Sequence, residues 1–208
     1  MENRVKQKKF VSLVLYLHNT QNEVVPFFQK VLPVFRDNFT NFEIVCVNDA
    51  CTDGTIGVLK EYLEENHCSE MVNIIHMSFF HGLESAMNAG RDLAIGDFIY
   101  EFDTAYVDYP SELIMEVYDK LLEGNDIVSA GTRDHVRMTS GFFYFCYNKT
   151  SRGRGKIGPE TFRIVSRRAI NRIKSIGQYI PYRKAVYSNC GLNTAAVSYT
   201  HLRAHETG

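Results

Sequence analysis

No apolar run in this 208-residue chain approaches the roughly twenty residues that a membrane-spanning helix needs. The opening residues, MENRVKQKKF, are charged where a secretory signal is apolar, so no export leader is expected and the cytoplasm is the expected compartment. The five cysteines, at 46, 51, 68, 146 and 190, include no C-x-x-C pair. That spacing argues against a zinc site or a disulfide framework and for reduced thiols. Internal repeats and low-complexity tracts are also lacking, which excludes solenoid, collagen-like and disordered classes. Neither sign of charge dominates: the formal net charge is −1, with 45% hydrophobic and 23% charged residues. What remains is an ordinary globular chain of a length that suits one domain with a sizeable core.

The small net charge hides an asymmetry. Between residues 150 and 184 there are ten Lys or Arg and one acid, Glu160. Such a stretch suits phosphate groups, anionic lipid heads or nucleic acid, or else it is a solvated helix face. Just before it, residues 141–147 (GFFYFCY) read either as core or as an interfacial segment beside the basic loop at 152–156.

Strand and helix patterns alternate along the chain. Residues 10–17 (FVSLVLYL), 42–47, 72–77, 98–102 and 126–130 read as buried strands. Helices are expected from Glu23 to about Arg36 with Asn22 as cap, from Asp53 or Thr55 to about Asn66, and from Pro110 and Ser111 to about Glu123. Pro33 is expected to kink or break the first of these. Without hairpin signals between them, these elements predict an α/β fold with a doubly wound, mainly parallel sheet.

Residues 81–110 organise the rest. Small residues at helical spacing (Gly82, Ser85, Ala86, Ala89, Gly90) predict a helix lying close to the sheet, ended by Gly96. The strand that follows delivers Glu101 and Asp103 to its carboxyl end, with Asp108 five residues beyond Asp103. Ligands of open α/β sheets bind at that edge, and carboxylates there suit a hydrated divalent cation on a phosphate ligand. Asp49, at the end of the second strand in VNDACTDGT, is either an Asx-turn residue or an acceptor for a base N–H or a ribose hydroxyl.

In order and spacing these motifs resemble the family 2 glycosyltransferases of GT-A (Rossmann-like) fold, nearest the polyprenyl- and dolichol-phosphate sugar transferases. The resemblance rests on Gly82, Ala86, Asn88 and Gly90, then Ala94, Gly96 and Asp97, then Asp103 and Pro110. It also rests on DIVSAGTR at 126–133 and on the F-R-x-x-x-R-R run ending at Arg168. It implies that Asp49 reads the nucleotide, with Leu17, His18 and Asn19 walling the base pocket and His18 free to stack on the base. It places His81, Gly82, Asp103, Thr104 and Arg133 around the donor as well. Asp103 with Asp108 would hold a magnesium or manganese ion, although Ala105 stands where the second aspartate of D-x-D belongs. Arg163 would meet an acceptor phosphate. Asp103, Asp108 and Glu160 are the candidate catalytic carboxylates, Asp108 or Glu160 serving as base for a sugar hydroxyl.

The implied function is inverting transfer of a sugar from a nucleotide-diphosphate sugar to a polyprenyl-phosphate or glycan acceptor, in polysaccharide or cell-envelope synthesis. Peripheral membrane contact is expected, and no nucleic acid. A non-catalytic sugar-nucleotide-binding homologue is the alternative. A nucleotidyltransferase is the lesser one, since LHNTQNE after the first strand lacks the glycines of a phosphate loop. The catalytic domain is expected at residues 1–197, cut short before a late R-x-x-G-x-S-K loop, with 198–208 a non-native tail and activity accordingly weak or absent. Asp49 and Asp103 are expected to end neighbouring strands and face one cleft.

Overall fold

The computed structural model describes residues 5–132, 160–175, 177 and 180–199. Among them runs one seven-stranded sheet: β1 (Val11–Leu17), β2 (Phe42–Asn48), β3 (Val72–His76), β4 (Phe98–Phe102), β5 (Ile127–Thr132), β6 (Phe162–Ser166) and β7 (Thr194–Tyr199). Its order is β3-β2-β1-β4-β6-β5-β7. Central β1 pairs in parallel with β2 and β4, Val11 lying opposite both Phe42 and Phe98. β6 runs antiparallel to both of its neighbours, β4 and β5, and β7 closes the edge parallel to β5.

Among the described residues six α-helices cover the two faces. On one lie α1 (Val24–Asn38), α2 (Thr55–Glu65) and α4 (Leu113–Leu122); on the other lie α3 (Leu83–Leu93), α5 (Arg167–Lys174) and α6 (Arg183–Asn189). α1 buries Val24, Phe27, Phe28, Val31, Leu32 and Phe35, an i, i+3, i+4, i+7 stripe that continues for three turns. Phe27 meets Phe102, and Phe35 meets Tyr100, edge to face at 5.1 and 5.2 Å. Each buried phenylalanine contributes about 1.5–3 kcal/mol from area alone.

Several expectations change. Pro33 neither ends nor splits α1, which continues to Asn38 with Glu23 at its start and no side-chain cap from Asn22. Pro33 sits on the exposed face, where the carbonyl that it leaves unbonded can take water. Gly96 is not a left-handed cap, for α3 has already ended at Leu93. Glycine is required there by close approach: a Cβ would fall 2.5 Å from the backbone nitrogen of Ser12. Gly90 does bring α3 onto the sheet, since a Cβ there would lie 2.5 Å from Val14 Cγ1 and 2.6 Å from Val47 Cγ2. β7 runs to Tyr199, two residues into the segment set aside as a tail.

Asp49 and Asp103 do not end neighbouring strands, because β1 lies between β2 and β4. They do share one edge and one face. Val45 and Val47 of β2, and Ile99 of β4, pack in the core on the α3 side, and strand alternation carries Asp49 and Asp103 to that side.

Candidate active site

The turns after β1 and β2 are laced together. Asn19 and Ala50 both take positive φ, 52° and 53°, a conformation that asparagine tolerates better than most residues. Asn19 Oδ1 accepts from Thr52 N at 2.8 Å, and His18 Nδ1 donates to the Asp49 carbonyl at 2.7 Å. A carbonyl only accepts, so Nδ1 carries the proton. Leu17 is wholly buried in the core and contributes only its carbonyl, to Asp49 N at 2.9 Å; its side chain walls no pocket.

Asp49 is fully buried and its oxygens are committed. Oδ1 accepts from His81 N at 2.8 Å, and Oδ2 accepts from Gly82 N at 2.8 Å and from the Tyr16 hydroxyl at 3.0 Å. Burial first, and then the Asp49 carboxylate, push the Tyr16 phenol up, which keeps it a donor. Asp49 therefore clamps the loop between β3 and α3. That loop presents Phe79 and Phe80, 64% and 58% exposed. Phe79 stacks on His81 at 3.9 Å, and Phe80 meets His18 at 4.6 Å. The aromatic rim was missed from sequence, although its signal, two phenylalanines just before the glycine that opens α3, was in plain view.

Beyond β4 the rim is ionic. Glu101, wholly buried, accepts from Arg183 Nη1 at 2.8 Å, Arg163 Nη1 at 3.3 Å and the Tyr187 hydroxyl at 2.6 Å. Asp103, its side chain 18% exposed, accepts from Arg163 Nη2 on one oxygen (2.9 Å) and Arg183 Nη2 on the other (2.7 Å). Arg183 also donates from Nε to Glu84 at 2.8 Å, and Arg163 Nε lies 3.0 Å from Glu160 without an aligned hydrogen bond. Arg91 joins through Tyr187 (3.3 Å) and Asn88 (2.7 Å). Burial pushes the Asp103 carboxyl up, but Arg163 and Arg183 outweigh it and hold it below the ordinary value. Glu84 and Gly82 belong to one turn, so an unbroken chain of contacts links Asp49 to Asp103 through α3 and Arg183.

Arg163 is thus 1% exposed, with its Nη groups bonded to Glu101 and Asp103 and its Nε beside Glu160 without an aligned hydrogen bond. Much of the described part of the basic stretch serves in the same way: Arg167 donates to the carbonyls of Ala94 and Gly96, and Arg168 pairs with Asp126. Asp108 accepts from the Tyr199 hydroxyl at 3.3 Å, and Thr104 is exposed, accepting from Tyr106 N at 3.1 Å. A cavity of about 220 Å³ opens beside the network, lined by Glu160, Arg163, Lys184, Tyr187, Ser188 and Thr194. The larger groove, about 660 Å³ between α1 and α4, lies on the far face. Arg133, the aromatic run 141–147 and the basic loop 152–156 lie outside the described residues.

These residues do not fit a divalent cation. Both Asp103 oxygens are held by guanidinium groups, and Ala105, wholly buried, offers no side-chain ligand. Among the described residues no three His, Cys, Asp or Glu side chains converge on a cation position.

A mixed sheet of this order, with paired helix layers and carboxylates along the carboxyl ends of its parallel strands, has the GT-A architecture of sugar-nucleotide transferases. The model of glycosyl transferase family 2 matches residues 12–190, and the chain belongs to that family. It is 29% identical over 197 residues to an uncharacterized glycosyltransferase of Synechocystis, covering 91% of this chain and 60% of that protein. It is 29% identical over 198 residues to the prophage bactoprenol glucosyl transferase homolog of Escherichia coli, covering 91% and 62%. The chain spans about three-fifths of these relatives. In fold it is similar to glucosyl-3-phosphoglycerate synthase from Mycobacterium tuberculosis in complex with manganese, UDP-glucose and phosphoglyceric acid (TM-score 0.68, 10% identity, 95% of this chain and 72% of that one). A similar likeness holds to the mannosyltransferase PcManGT from Pyrobaculum calidifontis in complex with GDP-mannose and manganese (TM-score 0.66, 13% identity, 96% and 59%).

Proposed function

We propose that this chain is the catalytic domain of an inverting glycosyltransferase that moves a sugar from a nucleotide-diphosphate sugar to a polyprenyl phosphate. The observation that carries the reading is the placement of Asp49 and Asp103 on one edge and one face of the sheet, in a chain that matches family 2 over residues 12–190. The bactoprenol glucosyl transferase names among the relatives support a lipid-phosphate acceptor over a glycan.

In this reading the base lies against the rim of His18, Phe80 and Phe79, held in place through Asp49. The acceptor phosphate oxygen attacks the anomeric carbon from the side opposite the leaving diphosphate. A lipid phosphate is already anionic near neutral pH, so that step needs no base; Asp108 and Glu160 would be needed only for a sugar hydroxyl. The aromatic residues at 141–147 and the basic loop at 152–156 are the proposed contact with a membrane surface. No helix among the described residues is long and apolar enough to cross one.

The test is incubation with UDP- and GDP-sugars and polyprenyl phosphate in detergent, followed by mass spectrometry of the lipid. A glycosylated polyprenyl phosphate is the expected product. A second reading, a non-catalytic sugar-nucleotide binder, draws on the internal satisfaction of both Asp49 and Asp103. Nucleotide-sugar binding with neither transfer nor donor hydrolysis would select it.

A further inference from the structure

The residues around Asp103 form a closed electrostatic unit rather than an open ligand set. Glu101 on β4 lies directly opposite Arg163 on β6 in the sheet register, so strand pairing itself places the first guanidinium. Arg183 arrives from α6 and is anchored twice to Glu84, through its backbone N–H at 3.1 Å and its Nε at 2.8 Å. Each guanidinium then gives one hydrogen bond to Asp103, and each takes a different oxygen. Arginine keeps its charge at any pH that the fold survives, so neither donor can be titrated away.

The charges also balance. Glu84, Glu101, Asp103 and Glu160 face Arg163 and Arg183 directly, Arg91 through Tyr187, and Lys184, whose charge also favours ionised Asp103. Among the described residues, four carboxylates against four cationic groups leave this network no surplus of negative charge to attract a metal ion. A cation that did approach would have to displace a charge-assisted hydrogen bond and sit beside two fixed positive groups.

We propose that Asp103 is an internal counter-ion held by Arg163 and Arg183, and that this chain binds its nucleoside-diphosphate ligand without a divalent cation. The ligand class rests on the sugar-nucleotide reading above; the ionic assignment of Asp103 stands apart from it. Arg163 and Arg183 are positioning residues here, fixing the end of β4 against α6 and α3.

Two measurements on the full chain test this. Calorimetry with UDP-glucose and GDP-mannose, each in manganese and in EDTA, should give affinities within about threefold of one another, whereas tightening of about tenfold or more by manganese would overturn the proposal. Electron paramagnetic resonance of manganese added alone should show no stoichiometric uptake by the wild-type chain. Uptake that is lost in Asp103→Asn, with the fold of that variant checked by circular dichroism, would also overturn it. If neither nucleotide sugar binds in either buffer, the donor reading fails, and the manganese measurement still decides the role of Asp103.

Discussion

At the scale of single residues, burial turns charge into structure. Arg183 is wholly buried and faces Glu84, Glu101 and Asp103. Arg183→Met should cost about 3–5 kcal/mol in urea unfolding, because it strands buried carboxylates rather than merely removing an attraction. Gly90→Ala should cost about 1–3 kcal/mol despite its better helix propensity, since the new methyl meets the Val14 and Val47 side chains at once. Asp103 and Arg163 could be picked out from sequence because they sit in motifs. Arg183, Glu84 and Tyr187 could not, for their roles exist only once α3, β4 and α6 meet. Nor does a motif tell whether a carboxylate faces a ligand or an arginine; Asp49 and Asp103 matched by pattern and proved to be internally bonded.

At the scale of elements, the loop of residues 77–82 hangs on one carboxylate, which accepts both the His81 and the Gly82 N–H. Asp49→Ala should leave those two donors unpaired, cost about 1–3 kcal/mol, and speed hydrogen exchange across the loop far more than in β2. Exchange unchanged at His81 and Gly82 would show that the clamp is not what orders the rim. The early strands were readable because β1 to β5 are apolar runs bounded by turn residues. β6 is harder to read because FRIVS, with Arg163 at its second position, lies inside the basic stretch, and only the buried acids opposite make that arginine acceptable in a strand. β7, TAAVSY, is composed mainly of small and polar residues, so it has little strand signature of its own. Gly96 was assigned to the right neighbourhood for the wrong reason: crowding by Ser12, not a helix cap, demands it.

At the scale of the whole molecule, acid should unfold the chain through its paired carboxylates. Burial raises Asp103 and Asp126, but Arg163 and Arg183 in one case, and Arg168 and Ser166 in the other, bring both below the ordinary value. A carboxylate depressed in the folded state contributes stability above its unfolded pKa of about 3.9, and loses it as pH falls through the folded value. Urea unfolding free energy should therefore be level from about pH 5 to 7 and fall below about pH 4. Asp126→Asn should start lower at neutral pH and show a shallower acid decline. The doubly wound, mainly parallel architecture followed from the alternation of patterns along the chain; the reversed strand in its middle did not, since nothing local marks a strand that pairs across sixty residues of sequence.

That reversed strand also sets an order for synthesis. β6 lies between β4 and β5, yet both precede it in the chain. A nascent polypeptide that has emerged only as far as β5 carries three raw sheet borders, one on β4 and both of those on β5, each seeking a partner that the ribosome has yet to release. Such borders template intermolecular pairing. Fragments halted between β5 and β6 should therefore be recovered as aggregates, whereas those that extend past β7, which covers the last border of β5, should remain dispersed.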